Sequence, residues 1–266
     1  MMKTTSTDYH NRTADEYDQG YQSPYWRIYN EITWHYIKSV LPRNKDDALI
    51  LDAGGGTGLW AIKTAELGYK VVMTDIADNM LEMARKKIAD EELTNKITIL
   101  NCDIIDMSQF DNEQFDLSLA EGDTVSYCSD PEKAISELAR VTKPAGHVTV
   151  SVDNKLNWVA IYYKQGKIEQ AEELLRTGMA QMQVKSGHGF DWFPAYMFTI
   201  EELKTLFRKY NLDPIKAVGK PVFTPFDKCL ENSEIYKCFL DLELEFSSLP
   251  SVAGKGGHIA LIGKKL

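Results

Sequence analysis

The sequence predicts a doubly wound α/β fold, a parallel sheet with helices on both faces. Two observations carry this. Between Ala48 and Asp153, five short apolar runs alternate with longer helical patterns. A glycine-rich turn, Gly54-Gly55-Gly56-Thr57-Gly58, joins the first run to the first of those helices, and carboxylates stand near the ends of the second and third runs.

Asp8–Leu41 reads as two helical pieces broken near Ser23-Pro24. The runs Ala48–Ala53, Lys70–Asp75, Ile97–Asp103, Phe115–Gly122 and His147–Asp153 are short, bounded by turn or charged residues, and mostly rich in Val, Ile, Leu and Thr. That is the pattern of strands buried on both faces. Leu59–Leu67 is helical. So is Asp78–Glu92, with Met80, Leu81, Ala84 and Ile88 on one face and Asp78 as N-cap. Pro131–Val141 follows, with Asp130 as N-cap and proline at the first helical position. After Asp153 the alternation stops. Residues 155–198 form an insertion with a helix over about Gly166–Met182 and an aromatic loop after it. Thr199-Ile200-Glu201-Glu202 is a capping box opening a helix to about Tyr210. A strand over Asp213–Thr224, interrupted near Gly219-Lys220-Pro221, a helix over Ser233–Phe246 and a last strand at His258–Gly263 complete the chain.

Composition narrows the function. The 266 residues carry a net charge of -9, which disfavours a broad basic surface for DNA or anionic lipid. The charge is uneven: residues 48–154 hold a net -10, whereas residues 155–266 hold +2. No apolar run reaches membrane-span length, and the N-terminus lacks a signal-peptide core. Cys102, Cys128, Cys229 and Cys238 have no CxxC spacing. No metal site is therefore expected, and the cytoplasm is the expected compartment.

Glycines in a turn after a strand let the backbone approach a ligand at the carboxyl end of the sheet. The ligand's nature follows from neighbouring residues. Asp52, two positions before Gly54, suits a ligand with a cationic end better than a pyrophosphate. Asp75, 21 residues after Gly54, stands where a carboxylate accepts hydrogen bonds from a ribose diol. Asp103 is placed to accept from an adenine amino group, with Ile76 and Ile104 offering apolar faces to the ring. Gly56-x-Gly58-x-x-Ala61 with Asp75 also fits, more weakly, an NAD(P)-dependent oxidoreductase.

LDAGGGTG, VVMTD, NCDIIDM, FDLSLAEGD and the Lys143-Pro144-Ala145-Gly146 turn, in that order, resemble the class I S-adenosylmethionine-dependent methyltransferases. The resemblance covers about residues 44–154. It departs slightly at Ala145, where the family usually has glycine. It implies a seven-stranded, mostly parallel sheet with an antiparallel last strand. It further implies that Gly54, Gly56 and Gly58 line the methionine end of the cofactor, with Gly55 counted among the cofactor-binding residues, that Asp75 binds the ribose, and that Asp103 and Ile104 flank the adenine. Glu121 then closes the site after the fourth strand, and Tyr17, Tyr21 and Tyr29 lie in a lid over the cofactor. Met80 is counted with this set. Ala53–Gly68 and the C-terminal Tyr236 to Ile259 stretch are also similar to bacterial tRNA methyltransferases that esterify a wobble-position carboxymethoxyuridine, and to many small-molecule methyltransferases.

Only five of the 28 Phe, Trp and Tyr residues lie in 48–154, while eight fall between Tyr9 and Tyr36 and eight between Trp158 and Phe198. Both flanking segments read either as a cap over the acceptor or as that cap's own core. Asp123, His188 and Trp192 are the candidate acceptor contacts. His188 reads either as a base in a glycine-flanked loop or as an exposed loop residue. The expected organisation is a lid (1–47), a cofactor-binding core (48–154), a cap insertion (155–198) and a segment completing the sheet (199–266). A small-molecule acceptor is the first reading, tRNA the second, and cofactor binding without catalysis a further one.

Overall fold

The computed structural model describes residues 5–186, 189–225 and 228–266. The N-terminal segment folds as three helices rather than two: α1 (Ser6–Thr13), α2 (Tyr17–Gly20) and α3 (Pro24–Ser39). α1 starts on a capping box in which the Thr5 hydroxyl accepts from Asp8 N while the Asp8 carboxylate accepts from Thr5 N.

The core follows as β1 (Leu49–Ala53), α4 (Leu59–Glu66), β2 (Lys70–Asp75), α5 (Asp78–Asp90), β3 (Ile97–Asn101), β4 (Phe115–Ala120), α6 (Thr124–Tyr127), α7 (Pro131–Val141) and β5 (Thr142–Asp153). Asp78 is the first residue of α5 and not its cap; Ala77 holds that position, and its N–H donates to Asp75 Oδ1 at 2.8 Å. The expected turn at 143–146 is a bulge inside β5. Thr142 pairs with Phe115 and His147 with Leu117, and the residues between loop out through Ala145 at φ 63°.

Beyond β5 lie α8 (Lys155–Lys164), α9 (Ile168–Thr177), β6 (Met179–Ser186), β7 (Gly189–Tyr196), α10 (Ile200–Lys209), β8 (Leu212–Lys220), α11 (Ser233–Phe246), α12 (Pro250–Ala253) and β9 (His258–Lys265). The helix expected over Gly166–Met182 is shorter, and the aromatic loop is half of a β-ribbon. Gly178 ends α9 with φ +75°, and a Cβ there would come within 2.7 Å of the Tyr196 ring. Met179 onward then pairs antiparallel with β7. Alternation explains the switch: Ala180 and Met182 are buried with Phe193 and Ala195, while Gln181 and Gln183 face out, a period of two.

The main sheet has seven strands in the order β3-β2-β1-β4-β5-β9-β8. β9 runs antiparallel to both β5 and β8, and the other neighbours are parallel. The reversed last strand is thus present, second from the edge. Two apolar layers bury the faces. Ile259 and Leu261 of β9 join Leu51, Val150 and the α7 and α10 residues Leu138 and Phe207. Ala260 and Ile262 join Ile50, Met73 and the α3, α4 and α5 residues Ile32, Trp60 and Leu81. With both faces covered, the strands read as apolar runs. The chain order reverses between β1 and β4, so a crevice opens at the carboxyl ends of those strands. Among the described residues no helix is long and apolar enough to cross a membrane.

Candidate active site

The turn after β1 is fastened from behind. Gly55 N donates to Thr74 O at 2.9 Å, and Gly56 N donates to Asp75 Oδ2 at 2.9 Å. Asp75 therefore grips both the loop and the start of α5. Each of its oxygens accepts one backbone hydrogen and keeps a further lone pair for a ligand. Gly54 has φ +70°, and a Cβ there would lie 2.3 Å from Thr124 Cγ2. Gly56, at φ +56°, meets nothing within 4 Å, so its α-carbon borders open space.

That space is a cavity of about 690 Å³. Gly54, Gly55, Gly56, Asp75, Ile76, Asp103, Ile104, Glu121, Tyr17, Tyr21 and Tyr29, all candidates from the sequence, line it together. Gly58, Met80 and Asp52 are not among its lining residues. Gly58 is the left-handed N-cap of α4. Met80 is buried with Ala14 and Ala77. Asp52 points behind the loop, where Oδ2 accepts from Ala61 N at 2.9 Å in the first turn of α4. Burial pushes its carboxyl up to about 7 against the pull of that hydrogen bond, with the charges of Asp75 and Glu121 adding to the rise.

A second cavity, of about 1000 Å³, adjoins the first; His10, Tyr17, Tyr21 and Tyr127 line both. Asp123 belongs to this one. It sits at φ 63°, and its Oδ2 lies 2.9 Å from His258 Nδ1. Asp153 Oδ1, 3.7 Å from the same nitrogen, accepts from Trp158 Nε1 at 3.1 Å. Burial pushes the Asp153 carboxyl up to about 6, helped by the charge of Asp123. Burial also opposes charge on Asp123 and His258, but their mutual attraction outweighs it, lowering the acid and raising the imidazole. Beside this cluster, buried Lys220 donates to Glu121 Oε2 and Thr33 Oγ1 at 2.9 Å, under the face of the Tyr29 ring. Trp192 pairs with Gln183 across the ribbon and lines neither cavity. His188 lies outside the described residues.

His10, Tyr127, Asp153 and His258 are the site residues that the sequence reading missed. His258 carried one signal: it follows Gly256-Gly257 directly at the start of the last strand. The others are lone residues in a helix, at the end of a short helix and at a strand end, with no spacing to mark them.

Residues 50–146 match the family described as a methyltransferase domain. This chain carries a methyltransferase domain. Its likeness, in sequence and in fold, is to the S-adenosylmethionine-dependent methyltransferases. The match takes in the glycine loop, so Gly56-x-Gly58-x-x-Ala61 lies within the part that matches a methyltransferase domain. The chain is 27% identical over 124 residues to the tRNA 5-carboxymethoxyuridine methyltransferase of Escherichia coli, covering 46% of this chain and 47% of that one. It is 41% identical over 103 residues to the malonyl-[acyl-carrier protein] O-methyltransferase of Buchnera aphidicola, covering 38% of each. The matched parts thus span less than half of these relatives. In fold it is similar to a SAM-dependent methyltransferase, possible histamine N-methyltransferase, from Thermotoga maritima, with a TM-score of 0.59 over 96% of this chain and 98% of that one at 19% identity. At that identity the likeness is one of fold alone.

Proposed function

We propose that the chain is an S-adenosylmethionine-dependent methyltransferase that binds its cofactor in the inner cavity and a small-molecule acceptor in the outer one. The observation that carries this is the pair of adjoining cavities with a common wall of His10, Tyr17, Tyr21 and Tyr127. The inner cavity fits the cofactor: open space beside Gly56, unused lone pairs on Asp75, and Ile76 and Ile104 beside Asp103. Bound there, S-adenosylmethionine supplies an electrophilic methyl group on a sulfonium. The protein's part is to hold donor and acceptor in line and keep water out. The N-terminal helices act as the lid and the 155–198 segment as the cap, since both contribute walls to the outer cavity. Four free cysteines suit work in the cytoplasm.

The tRNA reading has the 27% identity in its favour. Against it, the outer cavity contains Asp123 and Asp153 but no lysine or arginine among its described lining residues, a poor match for an acceptor bearing a carboxylate or phosphate. Calorimetry with S-adenosylhomocysteine tests the main reading. Micromolar binding is expected, and Asp75→Ala should weaken it at least about tenfold, the worth of one good hydrogen bond to a charged group. An absence of binding by the wild-type chain would overturn the assignment.

A further inference from the structure

The acidic cluster in the outer cavity narrows the acceptor further. Asp123 and Asp153 are 5% and 1% exposed; the Ser151 hydroxyl stands by the first carboxylate and the Tyr127 hydroxyl by the second, yet Asp123 Oδ1 and Asp153 Oδ2 make no hydrogen bond of good geometry among the described residues. One buried imidazole, His258, serves both carboxylates. With His258 protonated and paired to Asp123, the second carboxylate lacks a counter-charge. Lys220 is committed to Glu121 and Thr33. Buried carboxylate oxygens without partners are costly unless a ligand completes them. The walls around them are aromatic, including Tyr21, Tyr25, Trp26, Tyr127 and Trp158, and such faces attract cations.

Resting on the methyltransferase reading above, we propose that the acceptor is an organic amine, received as its ammonium ion by Asp123 and Asp153 within the aromatic walls and methylated on nitrogen. An amine attacks only through a free lone pair. The ammonium first gives one proton to Asp153. The nitrogen lone pair then forms the new N–C bond, and the C–S bonding pair leaves with sulfur as a neutral thioether. Asp153 suits the proton because its carboxyl is pushed up to about 6, by burial first and by Asp123 next, while Asp123 is held ionised by His258. An acceptor that enters as an anion would face two carboxylates, and the one imidazolium in the wall, His258, is already paired to Asp123.

The test uses the full chain saturated with S-adenosylhomocysteine and probes of similar shape but different charge: 2-phenylethylamine, 2-phenylethanol and 3-phenylpropanoate, with benzylamine, benzyl alcohol and phenylacetate as a smaller set. Calorimetry is expected to show each amine binding at least about tenfold tighter than its alcohol, with the acid weakest, the scale of one charge-assisted contact. Asp153→Asn, which keeps the shape and the acceptor for Trp158, should erase the amine preference and change S-adenosylhomocysteine affinity less than about twofold. Retained cofactor-product binding with no amine preference in either set, or with the acid or alcohol preferred, overturns the amine assignment while leaving the methyltransferase reading intact. A wild-type chain that binds no S-adenosylhomocysteine overturns the parent reading instead. A labelled methyl group from S-adenosylmethionine should appear on probe nitrogen; its appearance on oxygen only would also refute the proposal.

Discussion

Asp52 and Asp75 end up on opposite sides of the same loop; burial raises both carboxyls, but the backbone answers them differently. Asp75 is answered by two backbone N–H groups and faces the cavity. Asp52 has one such partner, and its other oxygen has no hydrogen-bond partner among the described residues. Its carboxyl is raised from 3.8 to about 7, chiefly by burial. Between those values the folded chain holds a proton that the unfolded chain has shed, so this group makes stability fall as pH rises through that window. Asp52→Asn keeps an acceptor for Ala61 N and removes the charge. Above pH 7 it is expected to stabilise the fold by roughly 1–3 kcal/mol and to flatten the decline between about pH 4 and 7. Urea melts across that range check it; identical slopes for the two proteins would exclude a titrating Asp52.

At the scale of elements, the loop between β1 and α4 separates stability from binding. A Cβ on Gly54 would strike Thr124 of α6, whereas one on Gly56, a lining residue of the inner cavity, would touch no protein atom within 4 Å. Gly56→Ala should therefore cost only the roughly 1–2 kcal/mol of a strained left-handed residue, yet lower S-adenosylhomocysteine affinity more than about tenfold. Gly54→Ala should lose both affinity and several degrees of melting temperature. Thermal melts read beside calorimetry separate the two, and a Gly56→Ala protein with native affinity would remove the loop from the site. The same elements show what the sequence could reveal. Strands buried on two faces and helices with caps of their own, such as Pro131–Val141 and the Thr199 box, are specified locally and were legible. The ribbon of β6 and β7 was not, because Met179–Ser186 continues a helix-compatible run and becomes a strand only through its partner across the turn. The place of Asp52 was not legible for a related reason: its position in the motif is local, but the direction of its side chain is fixed by the amide of Ala61 nine residues on. His258 and Asp153 meet only because β9 inserts beside β5, a pairing that no local spacing records.

Across the whole molecule, α3 is packed into the core, whereas α1 and α2 are held over both cavities by the packing of Ala14 on Ala77 and Met80 and by polar contacts at their edges. Asp18 accepts from Thr57 Oγ1 at 2.6 Å and pairs with Lys87 at 2.8 Å, Asn11 bonds Asn79, and Arg12 pairs with Asp191 of the ribbon. His10 and Tyr17, from the same segment, stand in the wall between the cavities. A ligand reaching the inner cavity past this segment must loosen it. The Asp18 and Lys87 side chains are 45% and 32% exposed, so their pairing is worth at most about 1 kcal/mol and weakens with salt. A fastening this weak suits a lid that opens during turnover. Asp18→Ala is expected to speed S-adenosylhomocysteine dissociation by about three- to tenfold, with a melting temperature within a few degrees of wild type, because the pair stabilises closure more than fold. Raised salt should speed release from the wild-type chain and leave the variant nearly unchanged. Stopped-flow displacement at low and high salt supplies both rates. If Asp18→Ala and the wild-type chain release ligand equally fast at low salt, the N-terminal helices are a fixed wall and the ligand leaves by another route.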